Sequence, residues 1–220
     1  ATYSKKAINN HLGILSKALN VAVDWGQLPY RIKIPMFKKV PLPDVDFLSF
    51  EEFDRLMFVV EGQHGRIIGL AAWTGLRIGE LRGLTWDDVD LHQGRATLHK
   101  TKNNERRVVP LTGKALELLK AHSKVRRLDT NLLFPGKNPR KPMDLRTPWE
   151  AALKKADIED FRFHDLRHSA ASYLAMNGAS MAEIAEVLGH KTLQMVKRYS
   201  HLSEAHTAGV VARMNERIFG

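Results

Sequence analysis

The sequence contains no cysteine and no long apolar run, and both absences narrow the functions open to the protein. Without cysteine there is no disulfide, no thiolate metal ligand and no cysteine nucleophile, which suits a reducing compartment. The apolar stretch near residues 67–73 is interrupted by Gly69 and is too short to span a membrane. The first residues also lack the apolar core of a secretory signal. These absences predict a soluble cytoplasmic protein without a membrane partner.

Positive charge, in contrast, is present in excess. Lys and Arg number 34 against 24 Asp and Glu, which gives the 220 residues a formal net charge of +10. Residues 101–150 alone hold 12 basic and 5 acidic side chains. This excess of positive charge is typical of a protein that binds a polyanion such as a nucleic acid, because cations that neutralise phosphates release counterions. Charge alone does not distinguish DNA from RNA or from a membrane surface.

Two changes of pattern predict how the chain is divided. Residues 5–23 carry apolar side chains at spacings of three and four, which predicts one amphipathic helix that must bury its stripe elsewhere. Residues 29–47 interleave four prolines with lysine and arginine, which predicts an extended basic linker. We therefore expect a partial helical segment over residues 1–28, a linker over 29–47 and the main domain over 48–220.

The main domain is predicted to be mostly α (α+β), with many helices and one small sheet. Ser49 and Glu52 form a capping box that starts a helix at about Phe50. Between Val89 and Leu111 the period becomes two, which predicts a three-stranded antiparallel meander. Further helices are predicted over 65–82 (two pieces separated at Thr74-Gly75), 112–125, 147–156 (with Thr147 as its cap), 164–176, 180–188 (with Ser180 and Glu183 as a capping box), 191–198 and 203–217.

Three short strings bring together residues that could carry chemistry. They are Thr-Gly-Leu-Arg-Ile-Gly-Glu-Leu at 74–81, His-Asp-Leu-Arg-His at 164–168, and Leu-Gly-His at 188–190 with Tyr199 nine residues further on. Each string has an ordinary structural interpretation when it is taken alone. Arg77 and Glu80 could form a helix-surface ion pair of little energetic value. Tyr199 could be a half-buried aromatic residue with a satisfied hydroxyl.

A zinc site is another interpretation of the second string. His164 and His168 have the spacing of a zinc-binding helix, with Asp165 where the metalloprotease pattern has glutamate. However, Arg167 shares a helix face with His164, so a fixed cation would lie close to the metal. The shorter carboxylate would also have to reach the catalytic water. Zinc is therefore the less favoured interpretation.

Taken together, the strings resemble the tyrosine recombinases, the phage-integrase type of site-specific DNA recombinase, over residues 49–220. The early helix and linker resemble the end of that family's core-binding domain. The family signature combines an arginine in a Thr-Gly-Leu-Arg-x-Gly-Glu-Leu setting, a hairpin lysine, a His-x-x-Arg pair, a Leu-Gly-His and a tyrosine nine residues beyond it. The resemblance implies the catalytic residues Arg77, Lys102, His164, Arg167, His190 and Tyr199, with Glu80 in support of Arg77. Lys102 is preferred to Lys100 because it falls at the hairpin turn.

The resemblance also implies a reaction. Tyr199 would attack a DNA phosphodiester and form a 3′-phosphotyrosyl bond, and a 5′-hydroxyl from another strand would then reverse the step. The implied roles are phosphate binding by Arg77, Arg167 and His190, proton acceptance by His164, and protonation of the leaving oxygen by Lys102. His168 is expected only to pack or to support its neighbours. No metal, ATP or small-molecule cofactor is required.

Partners follow from the same resemblance. We expect double-stranded DNA as substrate, association with the nucleoid when DNA is bound, and a homo-tetramer on DNA joined through the C-terminal helix over 203–217. Because the family's amino-terminal clamp is larger than residues 1–28 and the chain begins with Ala1, we expect a shortened form that binds DNA weakly. The alternatives are a non-catalytic DNA-binding protein and a relaxing topoisomerase with similar phosphate chemistry.

Overall fold

The computed structural model describes residues 3–38, 45–99 and 106–219, apart from the side chains of residues 203–208, 210 and 213. The chain forms two compact units, Ala1–Asp44 and Val45–Gly220. The division falls within the stretch predicted as a linker, and the assignment of residues 1–28 to a DNA clamp stays a prediction. Lys102 lies outside the described residues.

The first unit contains one long helix, as predicted. α1 (Lys5–Asp24) begins where the Ser4 hydroxyl accepts a hydrogen bond from the Ala7 amide at 3.2 Å. The Asn9 side chain exchanges two hydrogen bonds with the backbone of Phe37, at 2.9 and 3.1 Å, and thereby holds the following chain against the helix. Within the described residues, α1 buries none of its side chains. Most of its apolar stripe (Ile8, Leu12, Leu19 and Ala22) is half-buried, and Leu15 is exposed.

The second unit is built from eight helices within the described residues. They are α2 (Phe50–Val59), α3 (Gly62–Thr74), α4 (Ile78–Gly83), α5 (Gly113–Ser123), α6 (Arg146–Ala156), α7 (Asp165–Met176), α8 (Met181–Leu188) and α9 (Glu204–Ile218), with short 3-10 helices at Trp86–Asp88, Leu193–Met195 and Lys197–Ser203. Capping boxes at Ser49 and Ser180 start α2 and α8 as expected from the sequence. In the part of the chain that is described, no helix combines the length and apolarity that a bilayer crossing needs.

The helix predicted over 191–198 was wrong. The chain instead forms two 3-10 helices there, with hydrogen bonds from the Val196 amide to the Leu193 carbonyl (3.1 Å) and from the Tyr199 amide to the Val196 carbonyl (3.0 Å). A 3-10 helix repeats every three residues, so residues three apart share one face. Val196 and Tyr199 are both buried on that face. Because of this tighter period, the Tyr199 side chain points into the protein.

The cap predicted for α6 was also wrong. The helix begins at Arg146 with Leu145 as its N-cap, so Thr147 lies inside the first turn. The Asp144 carboxylate accepts a hydrogen bond from the Arg146 amide at 3.0 Å. The Trp149 amide, which a Thr147 cap could have bonded, instead donates to the Leu145 carbonyl at 2.9 Å.

The predicted antiparallel meander is present. Its strands β1 (Val89–Asp90), β2 (Arg95–Leu98) and β3 (Arg107–Pro110) lie in that order, and Leu98 pairs with Arg107 at the end of the β2–β3 ladder. Ala96 and Val109 pair and are both buried, so one face of the sheet covers the core. Because residues two apart on a strand share a face, Arg107 also points to the protein side of the sheet.

The buried side chains form two clusters. The larger lies among α2, α3, α5, α6 and the sheet. The smaller lies around α7 and α8 and contains Ala171, Ala175, Ile184, Ala185, Leu188, Val196 and Tyr199. The C-terminal string of the sequence is therefore packed directly against the helix that carries the His-Asp-Leu-Arg-His string.

A buried histidine in the larger cluster is held in its neutral form by its neighbours. His122 stacks on Phe134 with ring centroids 5.1 Å apart, and its Nε2 donates to the Leu133 carbonyl at 2.7 Å. Its Nδ1 lies 3.1 Å from Nη1 of Arg66, which can only donate. Burial, with the charge of Arg66 adding to it, lowers the pKa of His122.

Acid is therefore expected to destabilise the protein. The folded-state pKa of His122 lies below its unfolded value of about 6.5, so the unfolded chain takes up the proton first and stability is lost as pH falls below about 6.5. Urea unfolding at pH values of about 7.5 and about 5 should show a lower free energy of unfolding in acid. His122→Gln keeps a donor for Leu133 and should show a smaller loss. Equal losses in the two proteins would mean that His122 does not titrate on unfolding.

Candidate active site

The last turn of α8 gathers three arginines from three different elements. Three consecutive carbonyls accept the bonds: Val187 from Nη1 of Arg107 (2.7 Å), Leu188 from Nη2 of Arg167, and Gly189 from Nη2 of Arg77 (3.2 Å). Carbonyls at the C-terminus of a helix lack intrahelical donors and carry the negative end of its dipole, so they suit cations. We call Val187, Leu188 and Gly189 the carbonyl platform.

Arg77 lies immediately before α4 and is oriented by Glu80. One carboxylate oxygen accepts from Nη1 of Arg77 at 2.8 Å, and the other accepts from the Arg77 backbone amide at 2.9 Å. The same carboxylate thus caps the helix and fixes the guanidinium. The Arg77 side chain keeps 24% of its surface exposed, so the guanidinium is held at the edge of the protein.

Arg167 lies in the first turn of α7 and is only 3% exposed. Its Nη2 donates to the Leu188 carbonyl of the platform, and its Nη1 donates to the Gly75 carbonyl at 2.6 Å. Burial, with the charge of Arg77 adding to it, lowers the pKa of Arg167 to about 9, so the group is still charged at neutral pH. Among the described residues its hydrogen bonds go to backbone carbonyls and none to a carboxylate. A buried cation without a bonded counter-ion favours an anionic ligand.

His190 follows the platform directly. Partial burial, with the charges of Arg167 and Arg77 adding to it, lowers the pKa of His190 to about 4, so the ring is neutral at pH 7. Its Nδ1 is buried and makes no hydrogen bond to any described residue. A neutral imidazole beside two guanidiniums can donate one hydrogen bond to an anion without adding charge.

Tyr199 makes its contact with His168 rather than with His164. The phenolic hydroxyl hydrogen-bonds Nδ1 of His168, which accepts when the ring proton is on Nε2. Burial raises the pKa of Tyr199 to about 12 and lowers the pKa of His168. The expectations that His164 meets this hydroxyl and that His168 only packs do not match this geometry. His168 lies one turn into α7, on the side that faces the 3-10 helix of Tyr199, whereas His164 precedes the helix.

His164 is exposed and lies beside His168 at the edge of the site. Its ring stands nearly perpendicular to that of His168, with centroids 5.5 Å apart. Partial desolvation, followed by the charge of Arg167, lowers the pKa of His164, and Arg77 acts in the same direction. Within the described residues no three His, Asp or Glu side chains are grouped to hold a metal ion.

Arg107 belongs to this cluster and was not among the predicted site residues. Its Nη2 donates to the Glu80 carboxylate at 2.9 Å, its side chain is only 12% exposed, and burial lowers the pKa of its guanidinium. The sequence did contain a signal, because a cation two residues before the apolar Val109 falls on the inward face of a strand. In the described part of the site, two guanidiniums therefore bond one carboxylate and a third, that of Arg167, bonds the same carbonyl platform without a carboxylate partner. This excess of positive charge suits an anion such as phosphate.

Comparison with known proteins relates this arrangement to one family. Residues 46–206 match the phage integrase family. The chain is 33% identical to the integrase of Salmonella phage P22 over an alignment that covers 96% of this chain and 57% of that protein. The chain thus spans little more than half the length of this relative.

Solved structures share the fold. The Tn1549 transposon integrase in complex with circular intermediate DNA superposes with a TM-score of 0.75 at 19% identity, covering 96% of this chain and 81% of that one. The catalytic domain of bacteriophage HP1 integrase superposes with a TM-score of 0.58 at 28% identity, covering 77% of this chain and 95% of that one. The predicted fold class, mostly helical with one small antiparallel sheet, is confirmed.

Proposed function

Because the chain belongs to the phage integrase family, we propose that it is a site-specific DNA recombinase that cuts and rejoins strands through a covalent bond between Tyr199 and a DNA 3′-phosphate. One observation carries this proposal: Arg77 and Arg167 meet on the carbonyl platform, and the residue after Arg167 is hydrogen-bonded to the Tyr199 hydroxyl. An anion-binding cluster thus adjoins a nucleophile with its base. Double-stranded DNA is the proposed substrate, and the Tn1549 integrase was solved in complex with circular intermediate DNA.

The proposed first step is an in-line attack on phosphorus. The bond from Tyr199 Oη to phosphorus forms while the bond from phosphorus to the 5′-oxygen breaks. The phenolic proton passes to Nδ1 of His168, and the leaving oxygen takes a proton from Lys102, the hairpin lysine outside the described residues. A 5′-hydroxyl of a second strand then attacks the phosphorus, and Tyr199 leaves. One phosphodiester replaces another of similar energy, so the proposed reaction needs no ATP.

Charge stabilisation in this step is assigned to side chains. Attack on an anionic diester builds negative charge on the non-bridging oxygens, which fixed cations and donors stabilise best when they are oriented in advance. Arg77 and Arg167 are the proposed phosphate clamps, since each offers a planar fork for two oxygens. His190 is the proposed neutral donor. We therefore propose a reaction that requires neither a metal ion nor another cofactor.

Proton transfer is assigned to the histidine pair of α7. With its pKa raised to about 12, the Tyr199 phenol needs a base at neutral pH. His168 is neutral, half-buried and already bonded to that hydroxyl, which supports its role as the acceptor. The charges of Arg167 and Arg77 both act on His164. This supports a place for His164 on the phosphate side of His168, within the proposed catalytic set.

Covalent capture tests the proposed function. The probe is a pool of nicked duplexes with a randomised central segment, in which the short 5′-hydroxyl fragment diffuses away and traps the phosphotyrosyl intermediate. Denaturing electrophoresis in EDTA should reveal a protein–DNA adduct, and sequencing of the captured strands gives the target. No adduct with any member of the pool would contradict the proposal. Relaxation of supercoiled plasmid without exchange between two captured sites would identify a topoisomerase instead.

The proposed assembly on DNA is a homo-tetramer joined through α9. Val211, Met214, Ile218 and Phe219 lie at near-helical spacing, and each is between 45% and 78% exposed. The same unit contains a largely apolar cavity of about 420 Å³ between α3, α5 and α7. Its lining includes Ala72, Trp73, Ala115, Ala170, Tyr173 and Leu174. We propose that the exposed stripe of one copy enters this cavity on a second copy.

A charge placed on that stripe is expected to block assembly. Val211→Glu should convert higher-order complexes on the captured duplex into single-protomer complexes, with strand exchange reduced at least about tenfold, because a carboxylate is costly to bury in an apolar cavity. Light scattering with and without DNA measures the change. Val125→Glu, the same substitution at an exposed valine elsewhere in the unit, is the control. If both variants assemble alike, α9 is not the joining element.

A further inference from the structure

We propose that Arg107 is a positioning residue for strand cleavage, which ties the β2–β3 hairpin to the carbonyl platform and thereby fixes Arg77 and His190. This inference rests on the proposed function, since the reaction it serves is the cleavage by Tyr199. Arg107 is largely buried, and its two described hydrogen bonds go to protein atoms. Its role is therefore to hold other groups in place and not to touch the DNA.

The first link runs through Glu80. One oxygen of this carboxylate accepts from Nη1 of Arg77, and the other accepts both from the Arg77 amide and from Nη2 of Arg107. The carboxylate is thus held from two sides, by guanidiniums from the start of α4 and from β3. Without Arg107 the carboxylate could turn about its side-chain bonds, and the Arg77 guanidinium would turn with it. Charge-assisted bonds of this kind are strong and directional, so the pair is well suited to fix an orientation.

The second link runs through Gly189. This residue has a φ of +63°, and a Cβ built on it would lie 2.7 Å from Cδ and 2.9 Å from Nε of Arg107. The Arg107 side chain therefore fills the space that any other residue would need for its side chain. With Nη1 bonded to the Val187 carbonyl, Arg107 clamps the turn that presents His190.

The third link is to the hairpin itself. The pair of Leu98 with Arg107 is the last described pair of the β2–β3 ladder. The sequence predicts a turn that contains Lys102 directly beyond it. Arg107 thus anchors that end of the hairpin to α8. The Arg107 side chain thus connects β3, the Glu80 carboxylate that orients Arg77, and the turn that presents His190. Displacement of catalytic groups by about 1 Å can cost about 100-fold in rate.

The test compares Arg107→Met with Arg106→Met, which removes the same charge from the neighbouring exposed position. The readouts are the single-turnover rate of adduct formation at saturating captured duplex, the Kd for that duplex and the melting temperature. Arg107→Met should slow the rate about 100-fold while Kd changes less than about threefold. A single-turnover rate constant does not depend on the fraction of folded protein, so a merely structural role would leave it unchanged. Arg106→Met should react at the wild-type rate.

Gly189→Ala provides a second variant, because its Cβ would displace Arg107 and its positive φ would strain the same turn. It should slow the reaction to a similar degree, and the double variant with Arg107→Met should be no slower than the slower single variant. Multiplied effects, or a wild-type rate in Arg107→Met, would overturn the inference. If Arg107→Met does not fold, Arg107→Lys takes its place, with at least a tenfold loss expected because the fork is lost, and a wild-type rate overturns the inference. Absence of any wild-type adduct would instead defeat the proposed function.

Discussion

Replacing Tyr199 by phenylalanine is expected to abolish adduct formation with nicked DNA, with a loss of about 10⁴-fold or more, because no oxygen remains to attack phosphorus. DNA binding should be nearly unchanged, since affinity for a duplex depends mainly on cations that bind its phosphates and the substitution removes none of them. The free energy of unfolding should fall by about 1 kcal/mol, because Nδ1 of His168 loses its hydrogen-bond partner. Denaturing electrophoresis, gel-shift titration and urea unfolding measure the three quantities.

Two further variants make this result specific. Tyr3→Phe removes a phenolic hydroxyl from an exposed ring in the first unit and should form the adduct normally. His168→Ala should slow adduct formation by about 10²–10³-fold without abolishing it, as expected for loss of a general base. An adduct of undiminished yield with Tyr199→Phe would mean that another residue is the nucleophile.

Substitution of the two clamping arginines should separate catalysis from stability. Arg77→Ala and Arg167→Ala are each expected to slow cleavage by about 10²–10³-fold or more, the usual cost of removing one preorganised donor to a developing negative charge. Arg167→Ala should also lower the free energy of unfolding by roughly 3 kcal/mol, because two backbone carbonyls lose their donor and a buried space opens. Arg77→Ala should cost less than about 1 kcal/mol, since its side chain is partly exposed.

The same variants should bind DNA within about tenfold of wild type across a salt titration, because the chain has 34 Lys and Arg in total and the others remain to bind the phosphate backbone. Arg82→Ala, which removes an exposed charge from α4, should cleave at the wild-type rate when DNA is saturating. Parallel losses of binding and cleavage would show that the arginines hold the duplex and do not act in the reaction step.

Local signals in the sequence were sufficient wherever the deciding interactions are local. The capping boxes at Ser49 and Ser180 placed the starts of α2 and α8, since a capping side chain bonds an amide three residues away. The meander was visible because alternation with period two persists through β2 and β3. The prediction of a helix over 191–198 was wrong because the deciding interactions there are not local. The 3-10 geometry of this segment depends on burial of Val196 and Tyr199 against α7 and α8, which lie earlier in the chain.

The site shows the same division. The family resemblance implied which residues belong together, and the structure brings Arg77, His164, Arg167, His190 and Tyr199 into one region. Spacing could not show that His168 faces the tyrosine, because that depends on how the 3-10 helix packs on α7. The alternation of β3 indicated only that the Arg107 side chain faces inward. No local pattern indicates that the C-terminal end of α8 lies opposite it.

The sequence by itself determined the chemistry that is available: cationic forks, imidazoles and one phenol at fixed spacings, without cysteine. The tertiary structure alone decided how these groups are held, because Arg77 and the Gly189 carbonyl are 112 residues apart and Arg107 and the Val187 carbonyl are 80 apart. Contacts of that range depend on the packing of whole helices and strands, and no periodicity within a window of ten or twenty residues encodes them. The end of one short helix, with three carbonyls in need of donors, thus brings distant cations together.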